Sequence, residues 1–226
     1  MKKKIIIIAV SIIVLAMTVA SATTAYFTDT DAAENVFTLG KVDISLKDYN
    51  KNYLGEEVAL VDGKYNVGNL YPGIDYAKIP TITNEGPDDA YLAARITLKS
   101  EYLDNLFVTN AGTADEAVNV EELKKFLGGL VVDGTDYIVS FDPVVGEDHV
   151  IIVRVIKTAA TTEGQSFELM QEICVDRNWN NDSMSYLKGL DIYVEAYGVQ
   201  TVGFSATGAQ GAITSAFPEA FPSANN

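Results

Sequence analysis

The chain carries one histidine and one cysteine in 226 residues, so the chemistry open to it is narrow. A zinc site needs several His, Cys or carboxylate ligands converging, and the helical H-E-x-x-H pattern needs two histidines. His149 is alone; with Asp148 it sits just before an apolar run and reads as a solvated turn. Ser-His-Asp catalysis requires a nucleophile beside that single base, and no G-x-S-x-G elbow is present. Cys174 lies in Leu169-Met170-Gln171-Glu172-Ile173-Cys174-Val175, an apolar neighbourhood that predicts a buried, inert thiol. Nothing local supports a thiol enzyme built from Cys174 and His149. A lone cysteine excludes an intramolecular disulfide and leaves only pairing with a second chain. Acids are so abundant that paired carboxylates for glycoside hydrolysis carry no signal. Asp29-Thr30-Asp31-Ala32-Ala33-Glu34 fails as a calcium loop: Ala33 takes the fifth position and Glu34 the sixth, where glycine belongs. The expectation is therefore no catalytic residue, no cofactor and no metal ligand, with weak Ca²⁺ binding the most that the acidic surface offers. No phosphate-binding glycine loop appears. The aromatics are not interleaved with basic residues, so nucleic acid is not an expected partner.

The elements that frame these residues begin with an export signal. Lys2, Lys3 and Lys4 precede an apolar run from Ile5 to Val19, and small residues follow from Ala20 to Ala25. That order of charge, apolar core and small-residue exit predicts a cleaved secretory signal over residues 1–25, with the cut after Ala22 or after Ala25. A spanning helix needs about 20 apolar residues and a basic stop; here the run is shorter and Asp29, Asp31 and Glu34 follow it. The membrane is thus a partner of the precursor alone. The net charge is −15, and removing the three lysines makes the mature chain still more acidic. Such a surface favours solubility and repels anionic membranes. An exported chain with one cysteine fits a Gram-positive type of envelope.

Strand patterns dominate the rest. Val42-Asp43-Ile44-Ser45-Leu46 alternates apolar and polar. Lys78 to Asn84 and Tyr91 to Leu98 read as strands, with Pro80 expected at an edge or a strand start because it cannot donate to a ladder. Asp133-Gly134 predicts a tight turn joining Leu130-Val131-Val132 to Tyr137-Ile138-Val139. Val150 to Ile156 is β-branched enough for a central strand. Leu190 to Phe204 places Ile192, Val194 and Ala196 on one face and Tyr193, Tyr197 and Val199 on the other. Helices are expected at Asn119–Leu127, capped by Asn119, and near Asp182–Leu187. This pattern predicts a mainly β fold: a jelly-roll-like antiparallel β-sandwich with one or two short helices. The expected organisation is a signal peptide over 1–25, a mature N-terminal segment over 26–40, a sandwich domain over 41–207 and a flexible tail over 208–226.

Tyr26-Phe27 would begin the mature chain after a cut at Ala25, and an aromatic pair there needs a surface to dock on. The segment from Tyr26 to Thr38, with Tyr26, Phe27, Val36 and Phe37 as its apolar contacts, is a candidate donor strand that adds to a neighbour's open sheet edge. Head-to-tail addition of that kind does not close and builds filaments.

Thr23-Thr24-Ala25-Tyr26-Phe27-Thr28-Asp29-Thr30, followed by Asn35-Val36-Phe37-Thr38-Leu39-Gly40 and an alternating strand, resembles the SipW-dependent signal and mature N-terminus of the TasA and camelysin (CalY) family of biofilm-fibre proteins. Asn69-Leu70-Tyr71-Pro72-Gly73 to Thr83-Asn84-Glu85-Gly86 is similar to a second block of that family. Glu195-Ala196-Tyr197-Gly198-Val199-Gln200 is similar to its C-terminal strand, with Gly198 where alanine is usual. The stretch from about Ser100 to Thr162 has no counterpart. The resemblance implies cleavage by a dedicated signal peptidase after Ala25, between Ala25 and Tyr26. It also implies a jelly roll, self-assembly into head-to-tail extracellular fibres by N-terminal donor-strand exchange, and co-exported matrix proteins. The expected function is that of a secreted structural protein of the extracellular or biofilm matrix, not an enzyme. One alternative is a monomeric cell-surface binding module using Tyr49, Tyr53, Trp179 and Tyr186. Another is a surface metallopeptidase of the camelysin type, for which the sequence lacks a recognisable ligand set.

Overall fold

The computed structural model describes residues 28–32, 35–37, 42–61, 64–65, 69–100, 103–109, 117–144, 150–204 and 206–223. Along the chain the strands are β1 (Thr28–Ala32), β2 (Asn35–Phe37), β3 (Ile44–Asn50), β4 (Leu60–Val61), β5 (Lys64–Tyr65), β6 (Asp75–Asn84), β7 (Ala90–Lys99), β8 (Val108–Thr109), β9 (Ala117–Val118), β10 (Leu127–Gly128), β11 (Tyr137–Val144), β12 (Val150–Lys157), β13 (Ser166–Glu168), β14 (Glu172–Cys174) and β15 (Asp191–Gln200). The helices are α1 (Asp104–Phe107), α2 (Val120–Phe126), α3 (Asn181–Tyr186) and α4 (Gly208–Ala216). Among the described residues no helix is long and apolar enough to cross a membrane.

Two antiparallel sheets make the expected β-sandwich. The first is six-stranded in the order β11-β12-β7-β15-β1-β2. The second is built on β6, with β3 on one side and β13 and β14 on the other, and β10 beyond β14. Period-two alternation decides what enters the core between them. Tyr76 and Ile82 of β6 turn inward, as do Leu92, Ala94, Ile96 and Leu98 of β7 and Ile151, Val153 and Val155 of β12. Each fully buried Leu or Ile contributes about 1.5–3 kcal/mol. β12 is central, between β11 and β7, as its β-branched run predicts.

Pro80 is not at an edge. It lies inside β6, opposite Asp48 on the β3 side. Its carbonyl accepts from Leu169 N–H at 2.9 Å, so its nitrogen faces β13 and β14. The missing donor breaks the ladder at that point. Ser166–Cys174 keeps one register along β6 and is interrupted opposite the proline. The expected hairpin around Asp133-Gly134 is also absent: Val131 and Val132 are not a strand, and Val131 N–H instead bonds Leu169 C=O at 3.0 Å.

Local signals placed two helices well. Asn119 caps α2 by accepting from Glu122 N–H at 3.3 Å, with Glu121 and Glu122 in the first turn and Lys124 and Lys125 in the last. Asn180 caps α3. Residues 208–223, expected as a loose tail or a short helix-turn, are not loose but form α4 and the turn that packs after it. α4 buries Ala209, Ala212 and Ile213, and Ala220 and Phe221 follow it into the same cluster with Ala93, Ile156, Tyr197 and Val199. Tyr197 packs edge-on against Phe217 and Phe221, both with ring centroids 5.1 Å away. The first sheet is thus covered on its outer face, which is why β15 presents apolar residues on both sides.

Candidate functional site

The N-terminal strand and the edge it joins are the first candidate. β1 runs antiparallel to β15 over five residues, from Thr28 opposite Val199 to Ala32 opposite Glu195. β2 pairs with the far side of β1, placing Val36 opposite Asp31 and Phe37 opposite Thr30. Tyr26 and Phe27, like the cleavage position at Ala25, lie outside the described residues. The fibre reading needs Tyr26 to Thr38 to be poorly packed on its own domain. In the single chain, residues 28–32 pair along β15 of their own sheet. Asp29 and Asp31 are accordingly strand residues, not members of a loop. Gly198 explains how β15 can sit here. A Cβ at that position would meet Ile44 Cγ2 at 2.9 Å and Val42 Cγ1 at 3.1 Å, so the entry to β3 presses directly on the strand. The alanine expected from the resemblance would not fit without a shift.

The opposite edge of the same sheet is β11, and the chain occupies the first part of it. Val139 N–H points away from β12 and donates to Asp133 Oδ1 at 2.9 Å. Tyr137 C=O accepts from Gly134 N–H at 2.9 Å. Strand alternation puts Phe141 and Pro143 on that same outer side, and proline has no N–H to offer. Lys124 Nζ lies 5.6 Å from the Phe141 ring centroid.

A second constellation is a cleft on the outer face of the β6 sheet. Glu172 and Cys174 are two apart on β14, so they share a face. Asp75 is the register partner of Cys174, and Ile173 and Tyr76 point the other way, into the core. The three side chains bring their ligand atoms within 4.8 Å of one another. Asp75 and Cys174 border a cleft of about 280 Å³ that Glu122, Lys125, Phe126 and Trp179 also line. A Cβ on Gly128 would lie 2.5 Å from Cys174 Sγ, so the glycine makes the room the thiol occupies. Burial first, and then the charges of Glu172 and Asp75, push the thiol up to about 12. The thiol is therefore protonated and donates to the carboxylates, and a cation could use its sulfur only by displacing that proton. Cys174 is half-buried in a polar corner, not embedded among apolar residues. The Glu172-x-Cys174 spacing was visible in the sequence; its meeting with Asp75 depends on strand register and was not.

His149 lies outside the described residues. The four aromatics of the binding-module reading do not form one patch. Trp179 stacks on Phe126 at 6.0 Å and belongs to the core cluster. Tyr49 and Tyr53 are exposed, and Tyr53 meets Tyr71 edge-on at 5.3 Å, a partner the sequence did not single out. Tyr186 closes α3, where its carbonyl accepts from Ser100 Oγ at 2.7 Å. Comparison of the chain with protein-family models, with curated proteins and with solved structures finds no match.

Proposed function

We propose that the chain is a secreted structural protein of the extracellular or biofilm matrix, and that it polymerises by giving its N-terminal strand to the β15 edge of a neighbouring copy. The observation that carries this reading is the β1–β15 pairing. The sheet is completed by a short segment next to the chain start, held through an antiparallel ladder that a second copy could supply equally well. The self-docked arrangement is then the monomer, and exchange of β1 between copies makes a head-to-tail, non-closing contact. The partly occupied β11 edge supports the same reading, because growth through one edge of the sheet is favoured when the other offers fewer free backbone groups. The signal pattern over residues 1–25 and the resemblance to the TasA and camelysin proteins point the same way. The partners of this reading are further copies of the chain, a dedicated signal peptidase and co-exported matrix proteins. It requires no catalysis and no cofactor.

The test compares residues 26–226 with a version lacking Tyr26 to Asn35 by negative-stain electron microscopy after concentration. Filaments from the longer chain and none from the shorter one are expected. A longer chain that stays monomeric across concentration, pH and Ca²⁺ overturns the proposal. The exposed Tyr53–Tyr71 pair favours the binding module as the second reading.

A further inference from the structure

Three polar side chains, Lys78, Asn50 and Asp48, lie together in the inward-facing row of the second sheet, where apolar residues are the rule. Lys78 alternates with Tyr76, Pro80 and Ile82 on the buried face of β6 and is 7% exposed. Asn50, its register partner on β3, is 2% exposed. Asp48, two residues before Asn50, shares that face. Lys78 Nζ contacts Asp48 Oδ2, and both side chains are 9% exposed. Asn50 Nδ2 donates to the Asp48 backbone carbonyl at 3.3 Å, along the same strand that presents the carboxylate. Asp48 Oδ1 is buried and accepts no hydrogen bond among the described residues.

As an ion pair this arrangement is poor. Buried opposite charges offset their desolvation only when the remaining lone pairs are satisfied, and one carboxylate oxygen here is not. The same geometry suits a reaction: an amine held against a carboxyl group, on adjacent strands, with water excluded, at the high effective concentration that burial and fixed orientation provide. We propose that Lys78 and Asp48 condense to an intramolecular isopeptide bond that staples β3 to β6. The atoms balance without a co-reactant. One proton of the ammonium passes to Oδ2. The freed Nζ lone pair attacks Asp48 Cγ, and a second proton moves from nitrogen to Oδ2. The Cγ–Oδ2 bond then breaks, releasing water. Nζ keeps one hydrogen, Oδ1 becomes the amide carbonyl oxygen, and both buried charges disappear. The bond closes a loop from residue 48 to residue 78 in a chain whose single cysteine cannot make an internal disulfide.

The bond is read by intact-mass measurement of the purified full mature chain under denaturing, reducing conditions, followed by trypsin digestion and fragmentation. The expected result is a mass lower by one water and a branched peptide holding both Asp48 and Lys78, uncleaved after Lys78. Lys78→Arg keeps the charge and cannot condense, so its mass should match its sequence. Because the decisive reading is on the unaltered chain, a variant that fails to fold does not obscure it. A full sequence mass in the unaltered chain overturns the proposal. A deficit of one ammonia with Lys78 joined to Asn50 overturns the assignment of Asp48 as the acyl group. A deficit of water without the branched peptide places the dehydration elsewhere and overturns it as well.

Discussion

Two strands of the six-stranded sheet, β11 and β15, meet one problem in opposite ways. A sheet edge exposes backbone donors and acceptors that any other strand can pair with. At β11 the chain removes that opportunity locally: Asp133 takes the Val139 N–H, Gly134 satisfies the Tyr137 carbonyl, and Pro143 offers no donor. At β15 the chain covers the edge with β1, a strand from the far end of the sequence. The first solution is fixed by residues three to six positions away. The second depends on a strand remote in sequence, the one that the donor-strand proposal exchanges between copies. An edge guarded by its own neighbours is insulated from partners; an edge guarded by a distant strand is the one on which the donor-strand proposal rests.

Several substitutions break or sharpen this contrast. The largest effect is expected from Phe221→Ala, which removes an aromatic packed under Tyr197 of β15 and should cost about 3–5 kcal/mol in urea unfolding. A loss below about 1 kcal/mol would mean that the outer cluster does not support the strand. Gly198→Val places atoms against Ile44 and Val42, and overpacking of this kind costs about 1–3 kcal/mol. It should also weaken β1 docking, measurable as faster amide exchange in residues 28–32; unchanged exchange there would separate the glycine from the edge. Asp133→Ala frees the Val139 N–H and should cost about 0.5–1.5 kcal/mol. Its more telling readout is light scattering: new lateral association is expected, and its absence would mean that Asp133 is not what keeps β11 inert.

The smallest effect is the reference far from both edges. The Cys174 thiol is raised from its ordinary 9.0 to about 12 in the folded chain. The folded state therefore holds its proton between those values while the unfolded chain loses it. Stability from this group is complete below pH 9 and falls as pH rises toward 12. Thiolate absorbance against pH, native and denatured, checks the displacement. Truncating β1 should leave the curve in place; a moved curve would mean that the two faces communicate.

What could be read from residue order was what residues decide locally. The β-branched run of β12 and the capping of α2 by Asn119 depend on a few neighbours, and both stand as expected. The failures share a cause. Pro80 belongs to a central strand because the cost of its missing N–H falls on one ladder bond, and only the positions of β13 and β14 reveal that. Val131 and Val132 looked like a hairpin arm, yet Val131 bonds Leu169 and Val132 faces solvent. Residues 208–223 read as a tail because alanine and glycine give no strong periodic signal. Their burial comes from the outer face of β7, β12 and β15, which must exist first. The same holds for Asp75 meeting Cys174, and for Lys78 meeting Asp48: alternation tells which face a residue takes, and register tells whom it meets.

The pairing of Thr28 with Val199 also orders events in time. β1 is synthesised almost first, but its partner strand is nearly the last to be made, so this ladder has the longest loop to close of any in the fold. β7, β12 and β15 can assemble while β1 is still searching. A β7–β12–β15 sheet formed before β1 docks would carry an open β15 edge. Which strand fills the place is then a race between a tether and a crowd, set by how many copies share the neighbourhood.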